Sequence, residues 1–194
     1  MSLQFCTRCV VSNRRPIACR EYTRLPSITP ATIAFDAEGV CAACRVAEQK
    51  AATDWSERER ELKDLLAEYR REDGYPDVIV PGSGGKDSVY VAHVLKHDYG
   101  MHPLTVTWRP HLYTAIGRKN FDTWLEGGFD NILVTPNPRI HGRLTRLAFT
   151  RLLHPFQPFV LGQRSVAPKL AAMYNVPLVV YGESDAEYEG GNGW

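Results

Sequence analysis

A short apolar run, residues 77–80 (DVIV), leads directly into the glycine-rich segment 81–88 (PGSGGKDS). The residues that follow, from Val89 to Leu95, carry apolar side chains in a helical pattern. A strand, a glycine-rich turn and a helix in this order direct backbone N–H groups and the positive end of a helix at one spot, where phosphate is readily bound. This segment therefore predicts an α/β fold built around a phosphate-binding loop.

The sequence of this loop does not match two common phosphate-binding motifs. A Walker A loop has a Gly separated by four residues from its Gly-Lys pair and a Ser or Thr after the Lys. This chain has Val80 and Asp87 at those two positions. The dinucleotide fingerprint G-x-G-x-x-G would need a third Gly where Asp87 stands. The loop therefore belongs to another class of nucleotide site.

The rest of the second half alternates strand and helix patterns, which predicts a parallel sheet. Further strands are expected at residues 104–108, 132–134 and 178–181, and helices at residues 114–126, from Pro138 onwards, and at 165–174. Ligands of such sheets bind beyond the carboxyl ends of the strands. We therefore expect one crevice to be surrounded by residues 83–88, 107–109 and 182–183.

Four of the five cysteines form two Cys-x-x-Cys pairs, Cys6 with Cys9 and Cys41 with Cys44. Two such turns can supply four thiolates to one tetrahedral metal ion, and zinc suits four sulfur ligands best. Disulfides are disfavoured because the chain opens without an export signal, and a thioredoxin-type redox site would need only one pair. The pattern predicts a structural zinc site and leaves Cys19 as a packed or exposed thiol.

The composition is that of an ordinary globular protein. The 194 residues are 44% hydrophobic and 23% charged, with a formal net charge of +1, which excludes a wholly disordered chain. No apolar run approaches the roughly 18 residues that a membrane-spanning helix needs. We therefore expect a cytoplasmic protein that has no membrane partner.

Charge divides the chain into three zones, which we interpret as a zinc-ribbon module at residues 1–52, a connecting helix at 53–75 and a nucleotide domain at 76–194. Residues 1–52 hold 7 basic and 4 acidic side chains, and residues 53–75 hold 5 basic and 8 acidic ones. Residues 76–194 hold 11 basic and 10 acidic side chains. No Asp or Glu occurs between Asp130 and Glu183. This stretch can attract an anionic ligand, although a solvated helix face would have the same pattern. The basic excess is too small and local to predict nucleic acid as the main partner.

The connecting helix is expected to begin after an N-cap at Asp54 and to continue to Asp73. Its apolar positions form one helical stripe, which comprises Trp55, Leu62, Leu65, Leu66 and Tyr69.

The segment Ser-Gly-Gly-Lys-Asp-Ser at residues 83–88 resembles the pyrophosphate-binding loop of the N-type ATP pyrophosphatases. The resemblance implies a parallel-sheet, adenine-nucleotide alpha-hydrolase-like (PP-loop) domain, here preceded by the small zinc-ribbon module. Enzymes of this class cleave ATP between its α and β phosphates and adenylate an oxygen of the substrate. A nucleophile, commonly ammonia or a sulfur donor, then displaces AMP.

Further stretches narrow the resemblance to the N-acetyl sugar amidotransferases of bacterial surface-polysaccharide and nonulosonic-acid assembly. The two cysteine segments, residues 6–10 and 35–44, resemble that family, as do residues 79–81, 116–120, 128–130, 135–138 and 177–183. The resemblance implies that an acetamido group of a sugar, linked to a nucleotide, becomes an acetamidino group through an adenylylated amide and ammonia. It also implies Mg²⁺ on the phosphates and a separate ammonia-supplying glutaminase as partner.

The resemblance assigns roles to individual residues. Pyrophosphate would be held by the loop residues, which are Ser83, Gly84, Gly85, Lys86, Asp87 and Ser88. Of these, Lys86 and Asp87 would be the catalytic pair. Thr107 and Trp108 would lie near the adenosine. Glu183 is a candidate for the same crevice, with capping of the last strand as the alternative.

Two other functions stay open on the sequence. A tRNA sulfur-transferase can join Cys-x-x-Cys knuckles to this loop, but residues 45–194 contain no cysteine for the sulfur chemistry. A non-catalytic zinc and nucleotide-binding partner subunit is the second alternative. Chains of the amidotransferase family are considerably longer than this one, so we expect their C-terminal part to be missing here. The family's Glu-Tyr-Gly-Gly appears with one extra residue at positions 187–191.

Overall fold

The computed structural model describes residues 2–16 and 31–183. Cys19 and the Glu-Tyr-Glu-Gly-Gly segment at residues 187–191 lie outside these ranges. The described residues divide into two compact units, one that reaches Arg58 and one that comprises Glu59–Glu183.

The described residues form six helices and four strands. The helices are α1 (Ala42–Ala52), α2 (Trp55–Tyr69), α3 (Lys86–His97), α4 (Ala115–Glu126), α5 (Pro138–Leu152) and α6 (Gln157–Tyr174). The strands are β1 (Val78–Pro81), β2 (Pro103–Trp108), β3 (Asp130–Val134) and β4 (Leu178–Val179). None of the helices in the described ranges is both long enough and apolar enough to span a membrane.

The four strands form one parallel sheet in the order β3-β2-β1-β4. In the central pair, Val78 lies opposite Pro103 and Pro81 opposite Val106. The side chains of residues 78–80 are fully buried, as expected for an inner strand that is covered on both faces. The predicted α/β class with a parallel sheet is confirmed.

Helices cover both faces of this sheet. One core combines Val78 and Val80 with side chains from α3 and α4, of which Phe121 and Trp124 are the largest. The other core combines Ile79, Leu104 and Val106 with residues of α6. Since β1 contributes alternate side chains to the two cores, its C-terminal end is held rigidly at the edge where the glycine-rich loop begins.

The first unit is a small module around the cysteines. Cys6, Ile33, Val40 and Cys41 form its buried core. Two short antiparallel bridges, Phe5 with Ser12 and Phe35 with Cys41, close the turns that carry the two cysteine pairs. A core of this size is small, so cross-linking of its turns by a metal ion would contribute strongly to its stability.

Several element boundaries differ from the prediction, and three of the differences concern α2, α6 and β4. Helix α2 ends at Tyr69 rather than Asp73, and of its apolar stripe only Leu66 is buried. Helix α6 begins at Gln157, eight residues before the predicted start at Ser165, and continues through Pro168. Strand β4 ends at Val179 rather than at Tyr181, although the N–H of Val180 still donates to the carbonyl of Ile79 at 2.9 Å.

Candidate metal centre and phosphate-binding loop

The four cysteines that the sequence predicts to form a metal site lie close together in the first unit. Their Sγ atoms all lie within 4.8 Å of one another, with Cys9 and Cys41 separated by 3.6 Å and Cys6 and Cys44 by 3.9 Å. A tetrahedral zinc ion with Zn–S bonds of about 2.3 Å would set its sulfurs about 3.8 Å apart. The donor set and its spacing therefore fit such an ion, and the cluster can hold a metal such as zinc.

Backbone N–H groups point at one of the sulfurs. The Sγ of Cys6 accepts from the N–H of Arg8 at 3.4 Å and from the N–H of Cys41 at 3.3 Å. Although burial opposes ionisation, these hydrogen bonds lower the pKa of Cys6 to about 6. The neighbouring Cys9, together with burial, raises the pKa of Cys44 to about 12. Four thiolates cannot gather here without a cation, which explains why the cluster is suited to a divalent ion.

An ion-pair network braces the second cysteine turn. Asp36 accepts from the N–H groups of Glu38 and Val40, and its other oxygen accepts from Nε of Arg45 at 2.6 Å. The hydrogen bond from Val40 is the main reason that the pKa of Asp36 lies below its ordinary value, and Arg45 adds to it. The negative Asp36 therefore closes the turn that presents Cys41.

The glycine-rich loop leaves the C-terminal end of β1 and enters α3. Two of its glycines are required by close packing. A Cβ on Gly82 would lie 2.5 Å from the Cβ and Oγ of Ser88. Gly84 has φ +85°, and a Cβ there would lie 2.5 Å from the carbonyl oxygen of Asn120. Larger residues at either position would displace the loop.

The end of the sheet's fourth strand also touches the loop. A Cβ on Gly182 would lie 2.8 Å from the carbonyl carbon of Asp87 and 2.9 Å from the nitrogen of Ser88. The backbone after β4 therefore packs directly against the first turn of α3. Gly182 therefore lies next to the loop, as expected.

Gly85 differs from the other glycines of the loop. It is the N-cap of α3, has φ −70° and ψ 153°, and no atom would lie within 4 Å of a Cβ placed on it. Neither strain nor internal packing requires glycine here. Gly85 also has no side chain to cap the first N–H groups of α3, so this helix end is open to an anion.

The charged and hydroxyl side chains of the loop lie around this helix end. Lys86 is largely exposed, and its Nζ donates to Oδ1 of Asp87 at 2.6 Å. The hydroxyl of Ser88 donates to the carbonyl of Gly85 at 3.1 Å. Ser83 is exposed. A flexible cation beside an open helix N-terminus is an arrangement that can bind phosphate oxygens.

The remaining predicted site residues have different surroundings. The side chain of Thr107 is fully buried, and its hydroxyl accepts from the amide of Asn131 at 3.3 Å inside the sheet. Trp108 is half-buried at the end of β2, against Gly162 of α6, where a Cβ would lie 2.3 Å from the indole ring. Glu183 is exposed and follows the Gly182 contact.

Sequence reasoning missed two histidines at the carboxyl edge of the sheet. His111, in the segment after β2, stacks on His141 of α5 with ring centroids 4.4 Å apart. Trp108 meets the same His141 ring edge-on at 6.2 Å. The two histidines are 30 residues apart and share no local motif, so no pattern in the sequence linked them.

The chain matches no protein-family model and no curated protein. Any assignment to a family therefore depends on the motifs themselves and on the chemistry that the two sites can perform.

Proposed function

We propose that this chain is a PP-loop ATP pyrophosphatase that acts as an N-acetyl sugar amidotransferase, with a structural zinc ion in its cysteine module. The observation that carries the nucleotide part is the open N-terminus of α3 at Gly85, next to an exposed lysine and at the carboxyl edge of a parallel sheet. The amidotransferase part depends on the resemblance of the cysteine segments, the loop and the strand ends to that family.

The loop would act on the pyrophosphate half of ATP. The N–H groups at the start of α3 would donate to the β and γ phosphate oxygens, and Lys86 would add a positive charge as pyrophosphate leaves. Asp87 is the loop's carboxylate and would hold Mg²⁺, which supplies charge neutralisation to the phosphates. Nucleotide binding would thereby compete for both partners of the Lys86–Asp87 ion pair.

The reaction needs an acceptor and a source of nitrogen. The amide oxygen of an acetamido sugar, carried by a nucleotide, would attack the α phosphate and form an adenylylated amide. Ammonia would then replace AMP and give the acetamidino group. The four cysteines of the described module lie close enough together to hold one metal ion and would be committed to it, so a separate glutaminase would supply the ammonia. Reduced thiolates and these substrates suit a cytoplasmic enzyme.

Product analysis tests this proposal. The chain is incubated with ATP, MgCl₂, ammonium chloride and a panel of UDP- and CMP-linked acetamido sugars, and the phosphates are followed by ³¹P NMR. We expect equal amounts of AMP and pyrophosphate, and a sugar in which mass spectrometry finds the amide oxygen replaced by NH. ADP and phosphate as products would contradict the proposal. AMP formation that requires tRNA and a sulfur donor would indicate thiolation, and bound zinc and ATP without cleavage would indicate a non-catalytic subunit.

The matched variants are Lys86→Ala and Lys63→Ala. Both lysines are exposed and ion-paired, Lys63 with Glu59 at 2.8 Å. Loss of a charge that stabilises the departing pyrophosphate lowers turnover by about 10²–10³-fold, so we expect this fall for Lys86→Ala. Lys63→Ala should leave turnover unchanged, and both variants should keep their zinc.

A further inference from the structure

The stacked imidazoles of His111 and His141 form an unusual cluster for two basic side chains. Their ring planes are inclined by only 24°, and His141 is 8% exposed. The Nε2 atom of His141 is buried and has no hydrogen-bond partner within the described ranges, and the same is true of Nε1 of Trp108. Buried polar atoms usually have a hydrogen-bond partner, and an exception marks a bound water or ion, local strain, or a role in binding or catalysis.

The surroundings of His111 favour its neutral imidazole. The ring of His111 contacts His141 on α5, Phe156 just before α6 and Phe159 on α6. His141 is the titratable group among these contacts, and neither α5 nor α6 contains an Asp or Glu. Burial lowers the pKa of His111, and the proximity of His141 lowers it further. At neutral pH, the imidazole of His111 can therefore accept a proton.

His111 follows the end of a strand at the edge of the sheet where ligands of parallel sheets bind. The residue lies three positions after Trp108, the last residue of β2, and β2 is hydrogen-bonded to β1 along residues 78–81. The N–H of Gly82, the first residue after β1, donates to the carbonyl of Val106. The glycine-rich loop and the segment that carries His111 therefore leave neighbouring strands at the same edge.

We infer that His111 is the catalytic base of the ammonia step and that His141 is the positioning residue that holds its ring. This inference rests on the proposed function, because that reaction supplies both the adenylylated amide and the ammonia. A neutral imidazole is the side chain best matched to proton transfer near neutral pH.

The step conserves atoms and charge. The lone pair of ammonia forms a C–N bond to the adenylylated amide carbon, and the π pair of that carbon's C=N bond moves onto the sugar nitrogen. The new nitrogen then carries a positive charge. The imidazole of His111 takes one proton from that nitrogen. The electron pair released in this way forms the C=N bond of the amidine, and the C–O bond to AMP breaks with its electrons leaving on AMP.

His111→Asn tests the role, with His93→Asn as the matched control. The ring of His93 meets that of His97 at a tilt of 43° with ring centroids 4.5 Å apart, and both residues lie exposed on α3. Two readouts are compared, using the acetamido sugar nucleotide that supports AMP formation by the unaltered chain. Exchange of labelled pyrophosphate into ATP without ammonium reports adenylylation, and ammonium-dependent AMP release reports the second step.

We expect His111→Asn to lower ammonium-dependent AMP release by about 10²–10⁴-fold, as for loss of a general base, while pyrophosphate exchange is retained. His93→Asn should change neither. An equal loss in both readouts, or no loss in the second, would overturn the role of His111 and leave the proposed function intact. Absence of both activities in the unaltered chain would overturn the proposed function, and this role with it.

His141→Phe tests the positioning role, because it keeps an aromatic ring under His111 but removes the second imidazole. The pKa of His111 should then rise, so the acid limb of the pH–rate profile should move to higher pH. An acid limb that stays in place would contradict the role of His141.

Discussion

The two candidate sites are built in opposite ways. The cysteine cluster collects four side chains from two turns that are distant in sequence, and its spacing already matches one kind of ion. The phosphate loop consists of contiguous residues and offers mainly backbone N–H groups at an open helix end. The first site is specified by which side chains are present, and the second by which side chains are absent.

This difference determines how each site can fail. The cluster depends on every one of its sulfurs, because an ion with an incomplete set of ligands no longer holds both turns. The loop depends on glycines whose missing Cβ atoms leave room for other groups. At Gly84, and at Gly182 after β4, the protein's own backbone fills that room, whereas the room beside Gly85 is open to a ligand.

The largest effect is expected from Cys41→Ser in the metal module. Cys41 is fully buried and begins α1, so loss of its thiolate should abolish stoichiometric zinc and unfold the turns around it. Elemental analysis and hydrogen exchange check this. Amides near residues 33–44 should lose protection while those of residues 78–80 keep it. The matched control is Cys19→Ser, which changes the one cysteine outside both pairs. Full zinc content in Cys41→Ser would contradict the assignment.

An intermediate effect is expected from Gly182→Ala. The new Cβ would meet the Asp87 backbone, which cannot swing away as a side chain could, so we expect a loss of about 1–3 kcal/mol in the free energy of unfolding. The control is Gly142→Ala within α5, where a Cβ meets nothing within 4 Å and alanine should stabilise the helix by about 0.5–1 kcal/mol. Urea unfolding measures both changes. Equal stability of the two variants would show that the β4 end and the loop are not in contact.

The sheet and the loop were predictable because their signals are local. The apolar run at residues 78–80 is continuous since β1 is buried on both faces, and the glycine cluster follows it directly. Helix α6 was harder, because Gly162 and Pro168 weaken the helical pattern that in fact starts at Gln157. Gly162 is there because the Trp108 ring lies against it, which is a tertiary cause that no window of sequence contains.

The features of the candidate sites likewise differ in whether a local sequence pattern predicts them. The spacing of the cysteines predicted the four-sulfur cluster, and the glycine-rich sequence predicted where the loop would lie. The stacking of His111 on His141 could not be predicted, because it depends on how α5 packs beside the end of β2. Similarly, Thr107 was expected near the adenosine because of the resemblance, but its hydroxyl is engaged with Asn131 inside the sheet.

The most direct test of phosphate binding at the open end of α3 is the affinity of Gly85→Ala for ATP, measured by isothermal titration calorimetry in the presence of Mg²⁺. Alanine adopts the backbone angles of Gly85 without strain, and its Cβ would meet no protein atom, so folding should be unaffected. We predict that ATP binds at least about tenfold more weakly, equivalent to about 1.4 kcal/mol, while Gly142→Ala binds it normally. Unchanged ATP affinity in Gly85→Ala would contradict the account.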